Sequence, residues 1–150
     1  MFDAGTVADG RQPTKETELT RQQWFAAGAA AGFLGVAFGA FGAHALPPEA
    51  RPTFTIGARY HMYHALAIAL VAVAPISERA RSFAGTAFVC GIVLFAGSLY
   101  ALSISGTKWL GAITPIGGLA FLIGWLVLFV SALRQPAQTE ETLPRPEPHT

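Results

Sequence analysis

The stretch WFAAGAAAGFLGVAFGAFGAHAL, residues 24–46, decides the fold of this 150-residue chain. It holds no Asp, Glu, Lys or Arg, and its 23 residues exceed the about 20 that a helix needs to cross the hydrocarbon core of a bilayer. Lipid offers no hydrogen bonds, so the backbone must satisfy itself internally and the stretch is predicted helical. Its glycines stand at Gly28, Gly32, Gly35, Gly39 and Gly42. Alternating steps of four and three, a mean period of about 3.5, put all five on one stripe. Between lipid-immersed helices, contact comes from close backbone approach through small residues. Glycine also costs about 1 kcal/mol against alanine in a helix interior, so the stripe predicts a neighbour packed along it. Gly117, Phe121 and Gly124 make a similar stripe late in the chain and are the expected mate. Packing within the bundle is the first reading of the seam, and a surface for another protein's helix is the second.

Three further segments, residues 60–76, 83–104 and 110–133, are equally free of acids and bases, with 54–59 a candidate extension of the short second one. Of the 19 charged residues, 11 lie in 1–22 and 135–150, leaving 8 for the 112 residues between. The connections 47–59, 77–82 and 105–109 are short and punctuated by Pro, Ser or Gly, which makes sequential neighbours antiparallel. The expected architecture is an all-α membrane protein, one up-down bundle of four transmembrane helices over 23–134. A flexible polar tail, 1–22, precedes it and a flexible proline-rich tail, 135–150, follows. If both termini share a side, that side holds Arg11, Lys15, Arg21, Arg79, Arg81, Arg134 and Arg145, against Arg51, Arg59 and Lys108 opposite. The bias predicts cytoplasmic termini and a bacterial inner membrane, or the matrix side of the mitochondrial inner membrane in an organelle.

A net charge of +1 leaves no basic surplus for a nucleic-acid backbone. The single cysteine, Cys90, has no thiol partner and reads as a small packing residue. No motif calls for a metal, a cofactor or a catalytic group. The first 21 residues lack the layout of a cleavable signal peptide, so the first helix is expected to do its own targeting.

The inferred topology gathers most polar residues at the non-cytoplasmic ends of the helices: His44, then Arg59, Tyr60, His61, Tyr63 and His64, then Ser98, Tyr100, Ser103 and Ser105, then Thr114. Tyr60 and His64, four apart, share a helix face and can point together into the bundle. Three chemistries compete with plain interhelical hydrogen bonding. His64 and Tyr60 could relay protons or pass a small solute. His44 and His64, expected at comparable depth on adjacent helices, could ligate a haem iron or another metal. Arg59, Tyr60 and Tyr63 could hold a lipid or quinone headgroup; Arg59, placed at a helix N-terminus, opposes the helix dipole, a conflict that a lipid phosphate or a partner's carboxylate would resolve and that snorkelling to water resolves at lower cost. Tyr60, Tyr63, Trp24 and Trp109 fit interfacial aromatic belts, whereas mid-span Trp125 needs an acceptor for its indole N–H. Pro115 is expected to kink the fourth helix and free the carbonyl of Gly111, with Thr114 able to satisfy it.

Four motifs, GAFGAHAL at 39–46, RYHMYHALA at 59–67, GIVLFAGSLYAL at 91–102 and LGAITPIGGLAFLIGW at 110–125, together resemble the domain of unknown function family 423, the transmembrane-protein-256-like small membrane proteins. The resemblance covers about residues 24–133 and implies a four-helix membrane protein, with His44, Arg59, Tyr60, Tyr63, His64, Ser98, Tyr100 and Thr114 as the recurring polar positions. It supplies no reaction. His61 departs from the family pattern, in which glutamine is more usual. The expectation is a non-catalytic accessory subunit that contacts membrane lipids and packs against another membrane protein or a second copy. A small transporter or channel, and a lipid, quinone or haem binding module, are the alternatives.

Overall fold

The computed structural model describes residues 19–134, which form four helices long and apolar enough to cross a membrane and, among the described residues, no strand. Most of the two expected tails lies outside the described residues. The first span, α1 (Arg21–Ala45), starts at a capping box: Thr20 Oγ accepts from the Gln23 N–H at 3.3 Å while Gln23 Oε1 accepts from the Thr20 N–H at 2.8 Å. Two orphan donors of the first turn are thereby satisfied.

The second span, α2 (Arg51–Val73), begins well before Tyr60, so only residues 46–50 connect it to α1. Pro52 stands in its first turn, where the missing N–H has no partner to lose. The third span comprises α3 (Glu78–Gly91), a π-helical turn at Ile92–Ala96, and α4 (Gly97–Ser105). It ends at Gly106, whose φ of +67° is the left-handed conformation that glycine adopts without strain. A 3-10 turn at Lys108–Ala112 leads into α5 (Thr114–Leu133), the fourth span. Pro115 therefore sits in the first turn of α5 and does not kink a continuous helix, and the predicted loss of a hydrogen bond to Gly111 does not arise.

The helix pairing corrects the seam. α1 packs against α2 more extensively than any other two elements pack together. A Cβ on Gly28 would stand 2.7 Å from the Ala69 nitrogen, and one on Gly42 would strike the Phe54 ring, while Gly35 meets Met62 and His61. Gly32 and Gly39 have nothing within 4 Å. The seam thus divides into an inner line seven residues apart and an outer pair. The divergence follows from geometry: two straight helices touch along one line only, and a stripe wide enough for both steps of the repeat outruns it. Gly117 and Gly124 face the third span, at the Phe95 backbone and the Phe88 ring, and Gly91 faces Phe121. The late stripe is therefore a mate for α3 and the π turn, not for α1.

Two arginines fasten the helix ends. Arg51 Nε donates to the Leu46 carbonyl at 2.8 Å, capping α1. Arg81, fully buried, donates from Nε to Val71 O at 3.1 Å and from Nη2 to Ala74 O at 3.0 Å and Ile76 O at 3.2 Å, while its Nη1 meets the Glu78 carboxylate. The carbonyls left open where α2 ends thus find donors from α3. Trp24, expected at the interface, is buried against Gly85, whereas Cys90 is exposed.

Candidate functional site

The polar residues do not converge on one pocket; they form three separate links between helices. In the first, His64 Nδ1 lies 2.8 Å from the Tyr60 carbonyl, and its Nε2 lies 3.3 Å from the Trp125 indole nitrogen. A carbonyl can only accept and an indole N–H can only donate, so the two partners together select the neutral imidazole with its proton on Nδ1. The ring stacks on Phe121 at 3.3 Å between centroids and 7° between planes. In the second link, His61 Nδ1 shares a hydrogen bond of 3.2 Å with the Tyr100 hydroxyl, and Phe54 and Phe38 crowd that phenol at 4.4 and 4.7 Å between centroids.

The third link ties α4 to the start of α5. Ser98 Oγ donates to the Phe95 carbonyl at 2.9 Å and lies 2.8 Å from Thr114 Oγ1. Ser98 has spent its one hydrogen on Phe95, so Thr114 is the donor to it. The Phe95 carbonyl belongs to the π turn, whose wider hydrogen-bonding ring leaves such groups open to a side chain. The three links therefore join α2 to α5, α2 to α4 and α4 to α5. Ser103 and Ser105 bond back to carbonyls of their own helix, Leu99 at 2.8 Å and Ala101 at 2.7 Å.

Several predicted members stand apart. His44 and Arg59 are exposed, as are Tyr60 and Tyr63 at 40% and 55%. Across the antiparallel pair Gly42 faces Phe54 and Gly28 faces Ala69. His64 is then level with Gly32 and Phe33, roughly 17 Å from His44 at 1.5 Å per residue. The two histidines do not share a depth, and the haem arrangement loses its geometric basis. Among the described residues there is no group of three His, Cys, Asp or Glu placed to hold a metal. Arg59 sits in the interior of α2, not at its N-terminus, so the expected conflict with the helix dipole is absent. Tyr60, Tyr63, His64, Phe95, Phe121 and Trp125 wall an apolar groove of about 420 Å³ that opens sideways between α2 and α5.

Sequence reasoning passed over two residues. His61 was set aside as a departure, yet it is buried and paired. Arg81 was counted only toward orientation, although it is the largest fully buried side chain. Its position within a turn of a Ser-capped helix start was the available signal, because a loop of four residues leaves the carbonyls ahead of it within an arginine's reach.

A four-span bundle whose buried histidines each find a hydrogen-bonding partner on another helix defines a small integral membrane protein in which nothing points to catalysis. The chain belongs to the family described as "Protein of unknown function (DUF423)", whose profile matches residues 38–118. It is 42% identical over 116 residues to the UPF0382 membrane protein YwdK of Bacillus subtilis, covering 71% of this chain and 93% of that protein. It is 39% identical over 114 residues to the UPF0382 inner membrane protein YgdD of Escherichia coli K12, covering 71% and 86%. A UPF0382 membrane protein of Haemophilus influenzae is 39% identical over 105 residues, covering 67% and 85%. No solved structure matches the chain significantly. The family and the four spans together make this an inner-membrane protein.

Proposed function

We propose that the protein is a non-catalytic accessory subunit that packs its first span against a helix of another membrane protein or of a second copy. The observation that carries this reading is the pair Gly32 and Gly39, which have nothing within 4 Å although each weakens its helix by about 1 kcal/mol relative to alanine. The three other glycines of the seam are accounted for inside the bundle. Bare backbone on an outer face admits close approach of a second helix, which is how helices associate in lipid.

The experiment is extraction at native expression level in a mild detergent, with the mass and composition of the particle determined for wild type and for Gly39→Leu. Loss of a larger particle in G39L, with the bundle itself intact, supports the reading. A particle unchanged in G39L, or a wild-type protein that is always a lone monomer, defeats it. Gly35→Leu is unsuitable for this purpose, because Gly35 meets Met62 and His61 within the bundle. Both chain ends are proposed to be cytoplasmic, since Arg21, Arg79, Arg81 and Arg134 cluster at one end of the bundle. Reporter fusions at the C-terminus test that orientation.

A second reading rests on the groove between α2 and α5. Its aromatic walls suit a flat lipid-soluble ring or an acyl chain, with Arg59 nearby on α2 for a headgroup. A proton path has less support: taking a second proton on His64 Nε2 would set it against the Trp125 N–H.

A further inference from the structure

A second groove lies at the opposite end from the His44 and Arg59 region, where both described chain ends emerge. It measures about 750 Å³ and runs between α3 and α5. Arg79 and Arg134, one from each helix, stand at its polar mouth with Ser131, and Phe83, Leu126 and Val130 line its floor toward the bilayer interior. Cations at one end of an apolar trough match the two parts of an anionic phospholipid, a charged headgroup and an acyl chain.

The charge pattern at this end gives the site its sign. Glu78 is the nearest carboxylate and, with Glu49, one of two acids among the described residues. It is already engaged by Arg81 and by Arg21, the latter at 3.7 Å. No described carboxylate remains for Arg79 or Arg134. Ser77 also lines the groove; its oxygen accepts from the Ala80 N–H at 3.3 Å, and its hydroxyl hydrogen joins Ser131 and the two guanidiniums as a donor at the mouth. Guanidinium is suited to the task because its planar fork matches phosphate oxygens two at a time. We infer that Arg79 and Arg134 clamp the phosphate of one net-anionic glycerophospholipid, whose acyl chain lies over Phe83, Leu126 and Val130. The bound lipid would bridge the start of α3 and the end of α5, which no side-chain bond among the described residues joins at that level.

The test is lipid binding by the full-length protein in mild detergent, read by native mass spectrometry while phosphatidylglycerol or phosphatidylethanolamine is titrated in. Wild type is expected to retain phosphatidylglycerol preferentially. The double variant Arg79→Gln/Arg134→Gln is expected to lose about 30-fold in that affinity, from the usual worth of two basic groups at an anionic surface. Arg21→Gln serves as control, because Arg21 is at the same end but lines no part of the groove; it should bind like wild type. Both substituted groove residues are exposed, so the fold is expected to survive, and an unchanged thermal transition checks it. Equal retention of the two lipids would overturn the assignment, as would an equal loss in R21Q, which would mark diffuse surface charge. Saturation of the same response by inorganic phosphate would also overturn it. So would lipid binding seen only after deletion of 135–150, which would give the groove to the chain's own carboxylates.

Discussion

Replacing Arg81 by methionine should destabilise the protein by about 2–6 kcal/mol, the usual cost of leaving two buried backbone acceptors without a donor. The figure can be built from the structure. Arg81 is fully buried and makes three bonds to the carbonyls of Val71, Ala74 and Ile76. Two of these, to Val71 and Ile76, are buried, and the third is partly exposed. A buried acceptor left unpaired costs about 1–3 kcal/mol, while the Ala74 carbonyl can turn to water at a smaller cost. Methionine occupies the space of the arginine stem, so the loss reports the polar contacts and not a cavity. Glu78 adds little, because its side chain is about half exposed and water can replace the guanidinium.

The assay is reversible unfolding of the detergent-solubilised protein by added SDS, followed through tryptophan fluorescence. Arg81→Lys should recover part of the loss, since an ammonium on a shorter reach can serve one or two of the three carbonyls but not all. Arg51→Met is the contrasting case: one bond, to a partly buried carbonyl, predicts about 1 kcal/mol or less. An R81M protein that unfolds within about 1 kcal/mol of wild type would refute the view that α3 closes the end of α2 through this side chain.

The two lines of the glycine seam should separate cleanly by alanine substitution. Gly28→Ala, whose Cβ would press on the Ala69 backbone, should loosen or displace α1, whereas Gly32→Ala in the isolated bundle should be neutral or stabilising by up to about 1 kcal/mol; the same SDS titration reads both. Trp125→Phe removes the donor to His64 Nε2 and should cost about 1 kcal/mol. Nitrogen-15 shifts of the imidazole should then show a mixture of tautomers in place of the single Nδ1–H form, and an unchanged tautomer would remove Trp125 from that role. Gly106→Ala should destabilise by about 1–2 kcal/mol, because φ of +67° is disfavoured for a residue with a Cβ; an unchanged midpoint would mean that the turn after α4 relaxes freely.

The sequence was most legible where one physical rule dominates. Lipid forbids unsatisfied backbone, so apolar length alone located the four spans and the order in which they alternate. Ends and partners were harder. The stretch ARPTFTIGAR contains Pro52, Gly57 and two arginines, which read as a loop, yet Pro52 is harmless in a first turn, and Gly57 is where the Tyr100 ring packs. Pro115 misled in the same way: a proline inside an apolar run signals a kink or a beginning equally well, and only the turn before it decides. The need of Trp125 for an acceptor was readable, but its identity was not, because His64 is 61 positions away and reaches it through the packing of α2 on α5. The outer polar residues are close in sequence pattern and still fail to meet, since α2 begins at Arg51 and carries His64 to its middle.

The distribution of polar links says which element is free to take another partner. α2, α4 and α5 are joined pairwise by His61 with Tyr100, Ser98 with Thr114, and His64 with Trp125, and each pair fixes one helix against another in register. α1 supplies no side-chain hydrogen bond to these links; within the bundle it is held by the inner glycine line, by Trp24 and by ring contacts of Phe38 with Tyr100 and of Phe41 with Phe54. Half of the most apolar part of α2 is buried, against 17% for α1 and for the fourth span, and of these last two only α1 supplies no polar link. Contact through small residues depends on shape alone, and an outer glycine pair offers a second helix the same kind of surface that α2 already uses. The first span is therefore the one best placed to sit between the bundle and a neighbour without disturbing the polar triangle behind it.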